Sequence, residues 1–383
     1  MKIFLSAGEA SGEHYGTLLI PALRRILPET EFFGLGGQRM EALGFRRIVR
    51  AEDVAVMGIT EVIRHMPHIY REYHKLRASI AEERPDAAIL IDFPDVNLSL
   101  ARHLKQLGIP VIYFVSPQLW AWKKYRIRKV QRFVDRMLVI FPFEEEFYRH
   151  HGVQADFVGH PLADLPLPTI SRVEFARENG LDPSKLWIGL LPGSRGKEIR
   201  LNLPEILKAA SELKEDCEFV LPLAPTLTQS QRGQVREMLT SWSGLRITLV
   251  ENARATLHHA QASIVASGTA TVEAALIGNP FIVVYRISPL SYTVAKCVVD
   301  VPYVAMVNLI AGKLIVPELI QGDFTAANVV SHLQPLLLDV QARARMQNDL
   351  RSVGTSLKIE AGNETAIDRV ADIAAQMIHE RLI

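Results

Sequence analysis

The sequence predicts an α/β protein made of two doubly wound domains facing each other across a cleft. Three observations predict it. Short apolar runs alternate with longer amphipathic stretches. A proline-rich segment interrupts that alternation, and the alternation then starts afresh. The length of 383 residues also matches two domains of roughly 100–200 residues each.

The elements follow in order. Lys2–Ala7, Phe32–Leu35, Ala87–Ile91, Val111–Val115, Met137–Ile140 and Asp156–Val158 read as buried strands. Segments of helical period, such as Gly16–Ile26 and Leu98–Leu107, separate them in the βαβ rhythm of a parallel sheet. Gly159–Pro168 holds Pro161, Pro166 and Pro168 and reads as a stiff linker. Beyond it come Trp187–Leu191, Glu218–Leu221, Arg246–Val250, Ser263–Ala266 and Phe281–Tyr285, with no repeat identity to the first half. The expected division is 1–165 and 166–354. Residues 355–383 return to the first domain or swap onto a partner chain, and Ala361–Ile383 is the helix candidate within them.

Composition narrows the function classes. Hydrophobic residues make up 48% and charged residues 22%, ordinary values for a chain that buries real cores. A net charge of +1 gives no global case for a nucleic-acid partner. Cys217 and Cys297 lie far apart, without metal-ligand spacing or a disulfide framework, as suits a reducing cytoplasm. The apolar start at Met1–Ala7 is too short for a signal-peptide core, and no run approaches the ~20 residues of a membrane span.

Ligands of doubly wound sheets bind beyond the C-terminal strand ends, so the chemistry is sought there. Lys2–Ala7 runs into Gly8-Glu9-Ala10-Ser11-Gly12-Glu13, a glycine-bearing turn that is either an anion or sugar site or a plain βα turn. It lacks GxGxxG, which argues against a nicotinamide dehydrogenase. Ala87–Ile91 runs into Asp92-Phe93-Pro94-Asp95-Val96-Asn97. Asp92 is placed for general base work; Asp95 reads as the N-cap of a helix beginning near Asn97. Trp120 and Trp122 either line an apolar or sugar-stacking wall or anchor their loop on the core. The basic cluster Lys123–Lys129 with Arg132 is either a contact for anionic lipid or phosphate or a solvated face.

In the second half, Pro192-Gly193-Ser194-Arg195-Gly196 follows a strand without the Walker order, and pairs glycine freedom with a multi-donor arginine. Ser267-Gly268-Thr269 opens a helix whose positive end suits a diphosphate. Glu273, one turn in, is either a ligand for ribose hydroxyls or a capping and dipole residue. Asn308 sits among apolar residues and needs partners, from the chain or from a ligand. Met57, Ile59, Val62, Ile63, Met66, Ile69, Tyr70, Tyr73 and Leu76 recur at helical spacing with basic residues between them. The stripe fits either a membrane-interface helix or a surface helix packed on the core. Pro67 should break or kink it.

Together, Ala7–Glu13, Val56-Met57-Gly58, Ile91–Asn97, Val115–Trp122, Gly159-His160-Pro161-Leu162, Leu191–Arg195, Ala266–Glu273 and Asn308–Gly312 resemble the lipid-A-disaccharide synthases, a family of inverting glycosyltransferases of the Rossmann-like GT-B fold. The stretches come in family order over nearly the whole chain, and Ser-Pro-x-x-Trp-Ala-Trp with Pro-Gly-Ser-Arg is the most specific. Glu13 stands where the family often has aspartate, and no role is assigned to it.

The resemblance implies that UDP-2,3-diacylglucosamine and 2,3-diacylglucosamine-1-phosphate condense to a β-1,6-linked disaccharide phosphate and UDP. It implies no metal and no cofactor, a homodimer with swapped elements, and loose attachment to the cytoplasmic face of the inner membrane. Asp92 falls on the family's essential aspartate. Ser11 falls near the acceptor or transferred sugar. Arg195, Glu273 and Asn308 fall on nucleotide-side positions, and Ser194, Ser267, Gly268 and Thr269 complete the expected leaving-group site. Because both substrates are lipids, Ile59, Val62, Ile63 and Met66 become the expected membrane contact. Two rivals remain. A UDP-N-acetylglucosamine epimerase shares the two-domain architecture and would yield an epimerised sugar; a non-catalytic nucleotide-sugar or lipid-binding protein would bind without turnover.

Overall fold

The computed structural model describes residues 1–54, 59–213, 216–299, 301–359 and 364–382, without the side chains of 10, 59–66, 290, 294, 295, 297, 381 and 382. The chain forms two compact units, Met1–Asp164 with Leu357–Ile383, and Leu165–Ser356.

The first unit holds seven parallel strands: β1 (Lys2–Ala7), β2 (Glu31–Gly36), β3 (Arg46–Arg50), β4 (Ala87–Ile91), β5 (Val111–Phe114), β6 (Arg136–Val139) and β7 (Ala155–Phe157). Their order is β3-β2-β1-β4-β5-β6-β7. β4 and β5 are apolar throughout because helices cover both faces, and every one of their residues is buried. β3 carries no strand signal in the sequence. Its run Arg-Arg-Ile-Val-Arg carries the charge that suits an edge strand and hides the apolar signal.

The helix Ile59–Glu83 is continuous across Pro67, so the expected break is not found. Its C-terminal half inserts Leu76 and Ile80 fully into the core beside Tyr73. Burying two such side chains contributes about 1.5–3 kcal/mol each, enough to offset the ~3 kcal/mol of an internal proline. Tyr70 remains 64% exposed. Met57 lies outside the described residues, as do the side chains of Ile59, Val62, Ile63 and Met66.

Gly159–Ala163 is not a linker. It is buried in the first unit, where the His160 N–H donates to the Leu357 carbonyl at 2.8 Å and ties the returning C-terminal segment in place. The final helix spans Ala366–Leu382; of the expected Ala361–Ile383, residues 361–363 and 383 lie outside the described residues. Thr365 caps it, accepting from the Asp368 N–H at 3.1 Å. The helix lies along Ala10–Ile26 of the same chain, burying Val370, Ala371, Ala374 and Ile378, with an Arg25–Asp368 ion pair at the edge.

The second unit holds β8 (Leu186–Leu191), β9 (Cys217–Pro222), β10 (Ile247–Val250), β11 (Ala262–Ala266), β12 (Phe281–Tyr285) and β13 (Glu318–Ile320). All are parallel, in the order β10-β9-β8-β11-β12-β13. β13 has three residues, too short for a periodicity signal. In each sheet the order reverses beside the first strand, between β1 and β4 and between β8 and β11, which are the crevices that open sheets use for ligands. Among the described residues, no helix is long and apolar enough to cross a membrane.

Candidate functional site

In the first unit the crevice lies where Ala7 of β1 pairs with Ile91 of β4. Both strands end there, and each passes directly into a helix, Ala10–Ile26 and Pro94–Gln106. The two turns are pressed together: a Cβ on Gly8 would lie 2.3 Å from the Phe93 ring, so only glycine fits. Ser11 is exposed on the first turn of its helix. Glu13 has a structural role, since its Oε1 accepts the Arg39 N–H at 2.9 Å.

Asp92 sits at the tip of β4 with φ +49°, and Phe93 follows at φ +49°. Two consecutive non-glycine residues in the left-handed region carry strain and need support. The support is a buried network. The Asp92 N–H donates to the Phe114 carbonyl at 2.9 Å. Its carbonyl accepts from Asn97 Nδ2 at 2.7 Å and from the Tyr113 hydroxyl at 2.6 Å. Asn97 Oδ1 in turn accepts from Ser6 Oγ at 2.6 Å, and Ser6, Asn97 and Tyr113 have no exposed surface. The backbone of Asp92 is therefore fixed, and its carboxyl group has a local hydrogen bond with the Phe93 backbone. Burial first, and the charge of Glu9 second, push that carboxyl from its ordinary 3.8 up to about 7. A carboxylate with that affinity for a proton is matched to base work near neutrality.

Asp95 is not the helix cap. The helix begins at Pro94 with Phe93 in the cap position, because proline is pre-set for a first helical turn. Asp95 instead pairs with Arg126 and reaches Lys123 at 4.0 Å, which draws two members of the basic cluster against the crevice. The tryptophans divide between the two readings. Trp120 anchors its loop, with Nε1 donating to Glu144 Oε1 at 3.1 Å and its ring edge-on to Phe143 at 5.1 Å. Trp122 is 39% exposed and carries Lys123 Nζ at 4.1 Å over its ring. Glu144, which the sequence reading did not single out, also accepts from Ser116 Oγ at 2.6 Å. Burial pushes its carboxyl up to about 7. The available signal was its place three residues after Phe141, at the start of a helix.

In the second unit Leu191 of β8 pairs with Val265 of β11, and the two strands release adjacent loops. Ser194 and Arg195 are exposed. The Ser194 N–H donates to Glu198 Oε2 at 3.1 Å, and among the described residues Arg195 has a single 3.4 Å contact, with Glu198, which leaves most of its guanidinium unused. The second loop is Ser267-Gly268. The φ of +146° at Gly268 is glycine territory, and it opens the helix Thr269–Ile277 with no acidic residue in its first turn, which leaves the positive helix end uncompensated. Exposed Thr269 begins that helix and half-buried Ser267 precedes it.

Glu273 makes no capping contact. It is half-buried, 3.9 Å from Arg254; burial pushes its carboxyl up and Arg254 pulls it back. Asn308 departs from the expected ligand contact. It is fully buried and satisfied by the chain: Nδ2 donates to the Val316 carbonyl at 2.9 Å and Glu318 Oε1 at 2.8 Å. Its Oδ1 accepts from Ile315 at 2.8 Å and Val316 at 3.0 Å. An amide has four such places, so this one holds structure. Glu318 also accepts from the N–H of Val304 at 2.9 Å, and the Val304 carbonyl accepts from Ser267 Oγ at 3.4 Å, which links Asn308 indirectly to the loop. Among the described residues no three His, Cys, Asp or Glu side chains gather as a metal site.

A family model described as lipid-A-disaccharide synthetase matches residues 3–374. A lipid-A-disaccharide synthase of Acidobacterium capsulatum is 67% identical, covering 99% of this chain and 97% of that protein. One of Koribacter versatilis is 49% identical, covering 97% of each. Among solved structures, a UDP-N-acetylglucosamine 2-epimerase of Neisseria meningitidis superposes with a TM-score of 0.61 at 13% identity, covering 99% of this chain and 100% of that one. The calicheamicin glycosyltransferase CalG4 superposes with a TM-score of 0.57 at 15% identity, covering 99% and 98%. At such identities the superpositions speak to fold alone.

Proposed function

The chain belongs to the lipid-A-disaccharide synthase family and is a glycosyltransferase of lipid A biosynthesis, and from that premise we propose how its residues share the work. The donor is UDP-2,3-diacylglucosamine and the acceptor 2,3-diacylglucosamine-1-phosphate. The acceptor hydroxyl attacks the anomeric carbon from the face opposite UDP. The bond from that carbon to the diphosphate breaks, the diphosphate leaves with the electron pair, and Asp92 takes the hydroxyl proton. The product is the β-1,6-linked disaccharide phosphate.

The observation that carries this reading is the state of Asp92: a residue whose backbone is fixed at a strand tip by three hydrogen bonds, with its carboxyl raised to about 7. In the second unit, Arg195, the Ser194 hydroxyl and the helix start at Ser267-Gly268-Thr269 stabilise the charge that gathers on the leaving diphosphate. Glu273 takes the ribose hydroxyls, and Ser11 faces the sugar side. Asn308 serves that site by holding the segment against which Ser267 rests.

Lipid substrates bring the enzyme to the cytoplasmic face of the inner membrane as a peripheral protein. The start of the helix Ile59–Glu83, with Ile59, Val62, Ile63 and Met66, makes the contact. A homodimer completes the reading, on the family resemblance. Mass spectrometry of the product from the two acylated substrates tests the reaction. The disaccharide phosphate with stoichiometric UDP is expected; an epimerised sugar, or UDP binding without any product, would overturn it.

A further inference from the structure

In the first unit the helices Ile59–Glu83, Pro94–Gln106 and Ile127–Phe133 line an open concavity of about 440 Å³, within the range of small-ligand sites. Arg77, Arg102 and Lys129 line it together with Tyr73, Leu98 and Phe133, and no carboxylate among the described residues does. Among the described residues none of the three cations has an acidic partner within 4.0 Å, whereas Lys123 and Arg126 of the adjoining cluster are taken up by Asp95. Like charges gathered in a concave wall raise a positive potential that a bound anion relieves.

Arg77 makes the case specific. Its guanidinium lies 5.9 Å from the Tyr73 ring centre. Nη2 contacts His103 Nδ1 at 3.3 Å, and because a guanidinium can only donate, that ring nitrogen accepts. His103 Nε2 then donates to the Arg77 carbonyl at 3.2 Å, so one neutral imidazole holds both ends of the residue. The Arg77 Nε is buried and has no hydrogen-bond partner among the described residues.

We propose that this concavity binds a phosphate ester, carried as the headgroup of an anionic membrane lipid. The three cations take the phosphate oxygens, with the guanidinium of Arg77 giving the planar multi-donor contact. The partly exposed rings of Tyr73 and Phe133 suit the apolar part of an amphiphile. The choice of a lipid source rests on the proposed membrane function; the phosphate site itself does not.

The experiment compares wild type with two pairs of equal charge loss on exposed residues: Arg102→Gln with Lys129→Gln inside the concavity, and Arg128→Gln with Arg132→Gln beside it. Calorimetric titration with glycerol 3-phosphate reads the site in solution. Co-sedimentation with phosphatidylcholine vesicles, with and without phosphatidylglycerol, reads the lipid. The inner pair should lose about tenfold or more in both assays, and the outer pair at most about threefold. Equal losses in the two pairs would reduce the effect to general charge and overturn the site, as would wild type that neither binds glycerol 3-phosphate nor prefers the anionic vesicles. Glycerol 3-phosphate binding without vesicle preference would assign the site to a free phosphate ester and refute the lipid source. Disaccharide formation in detergent micelles, read on all three proteins, keeps failure of the proposed reaction distinct from failure of this site.

Discussion

Replacing Asp92 by asparagine should remove turnover and stabilise the protein at the same time. The carboxyl is lifted from 3.8 to about 7 chiefly by burial, so the native fold holds its proton more tightly than the unfolded chain does. Between those two values the unfolded chain has released the proton and the folded chain has not, so stability falls as pH rises and the loss is complete above about 7. At about 1.4 kcal/mol per pH unit, the full lift amounts to roughly 4 kcal/mol. Water reaching the half-buried side chain reduces this, and about 2 kcal/mol is the working expectation. Asparagine keeps the shape, tolerates the left-handed backbone and never ionises. Urea denaturation of the two proteins should therefore coincide near pH 4 and separate progressively towards pH 8, with the variant the more stable. In the wild type, kcat/KM should fall about tenfold per pH unit below about 7, because the protonated acid is no base. A variant that is less stable at pH 8, or an acid limb near pH 4, would refute the argument that burial has primed this carboxyl.

Three further perturbations separate the roles. Arg195→Ala should weaken UDP binding about tenfold or more and slow the reaction with it, since charge-assisted hydrogen bonds contribute ~1.5–3 kcal/mol. It should hardly alter the melting temperature, because the one ion pair lost is exposed; unchanged UDP affinity in a titration would make Arg195 structural. Tyr113→Phe removes one of the two donors to the Asp92 carbonyl, costs about 1 kcal/mol of stability, and should lower kcat several-fold with UDP affinity intact; wild-type kcat would dismiss the network as support for the base. Ile63→Ser with Met66→Ser should release the protein from liposomes by about tenfold or more while circular dichroism stays native. Unaltered liposome binding would reject this surface.

Much of the fold was legible because buried parallel strands announce themselves as apolar runs, as Ala87–Ile91 and Val111–Phe114 do. What escaped is equally physical. β3 is written in arginines because an edge strand resists unwanted pairing with charge, and Pro67 hid a continuous helix whose stability comes from tertiary burial of Leu76 and Ile80. Candidate residues were legible wherever a strand of clear pattern ends, which is why Asp92, Ser194 and Gly268 lie at the two reversals of strand order. The support of Asp92 was not, because Asn97 and Tyr113 act through contacts distant in sequence, to Ser6 and to Asp92 itself. Asn308 shows the converse limit: an asparagine amid apolar residues signals a need for partners without saying whether the chain or a ligand supplies them.

The account stands on a division of labour, proton removal by Asp92 and nucleotide retention by the loops after β8 and β11. The most direct test is the single-turnover rate of Asp92→Asn at saturating substrates, read beside its dissociation constant for UDP. A fall of about a hundredfold or more with UDP affinity unchanged is the predicted result. Near-normal turnover, or turnover and UDP affinity lost in proportion, would contradict it.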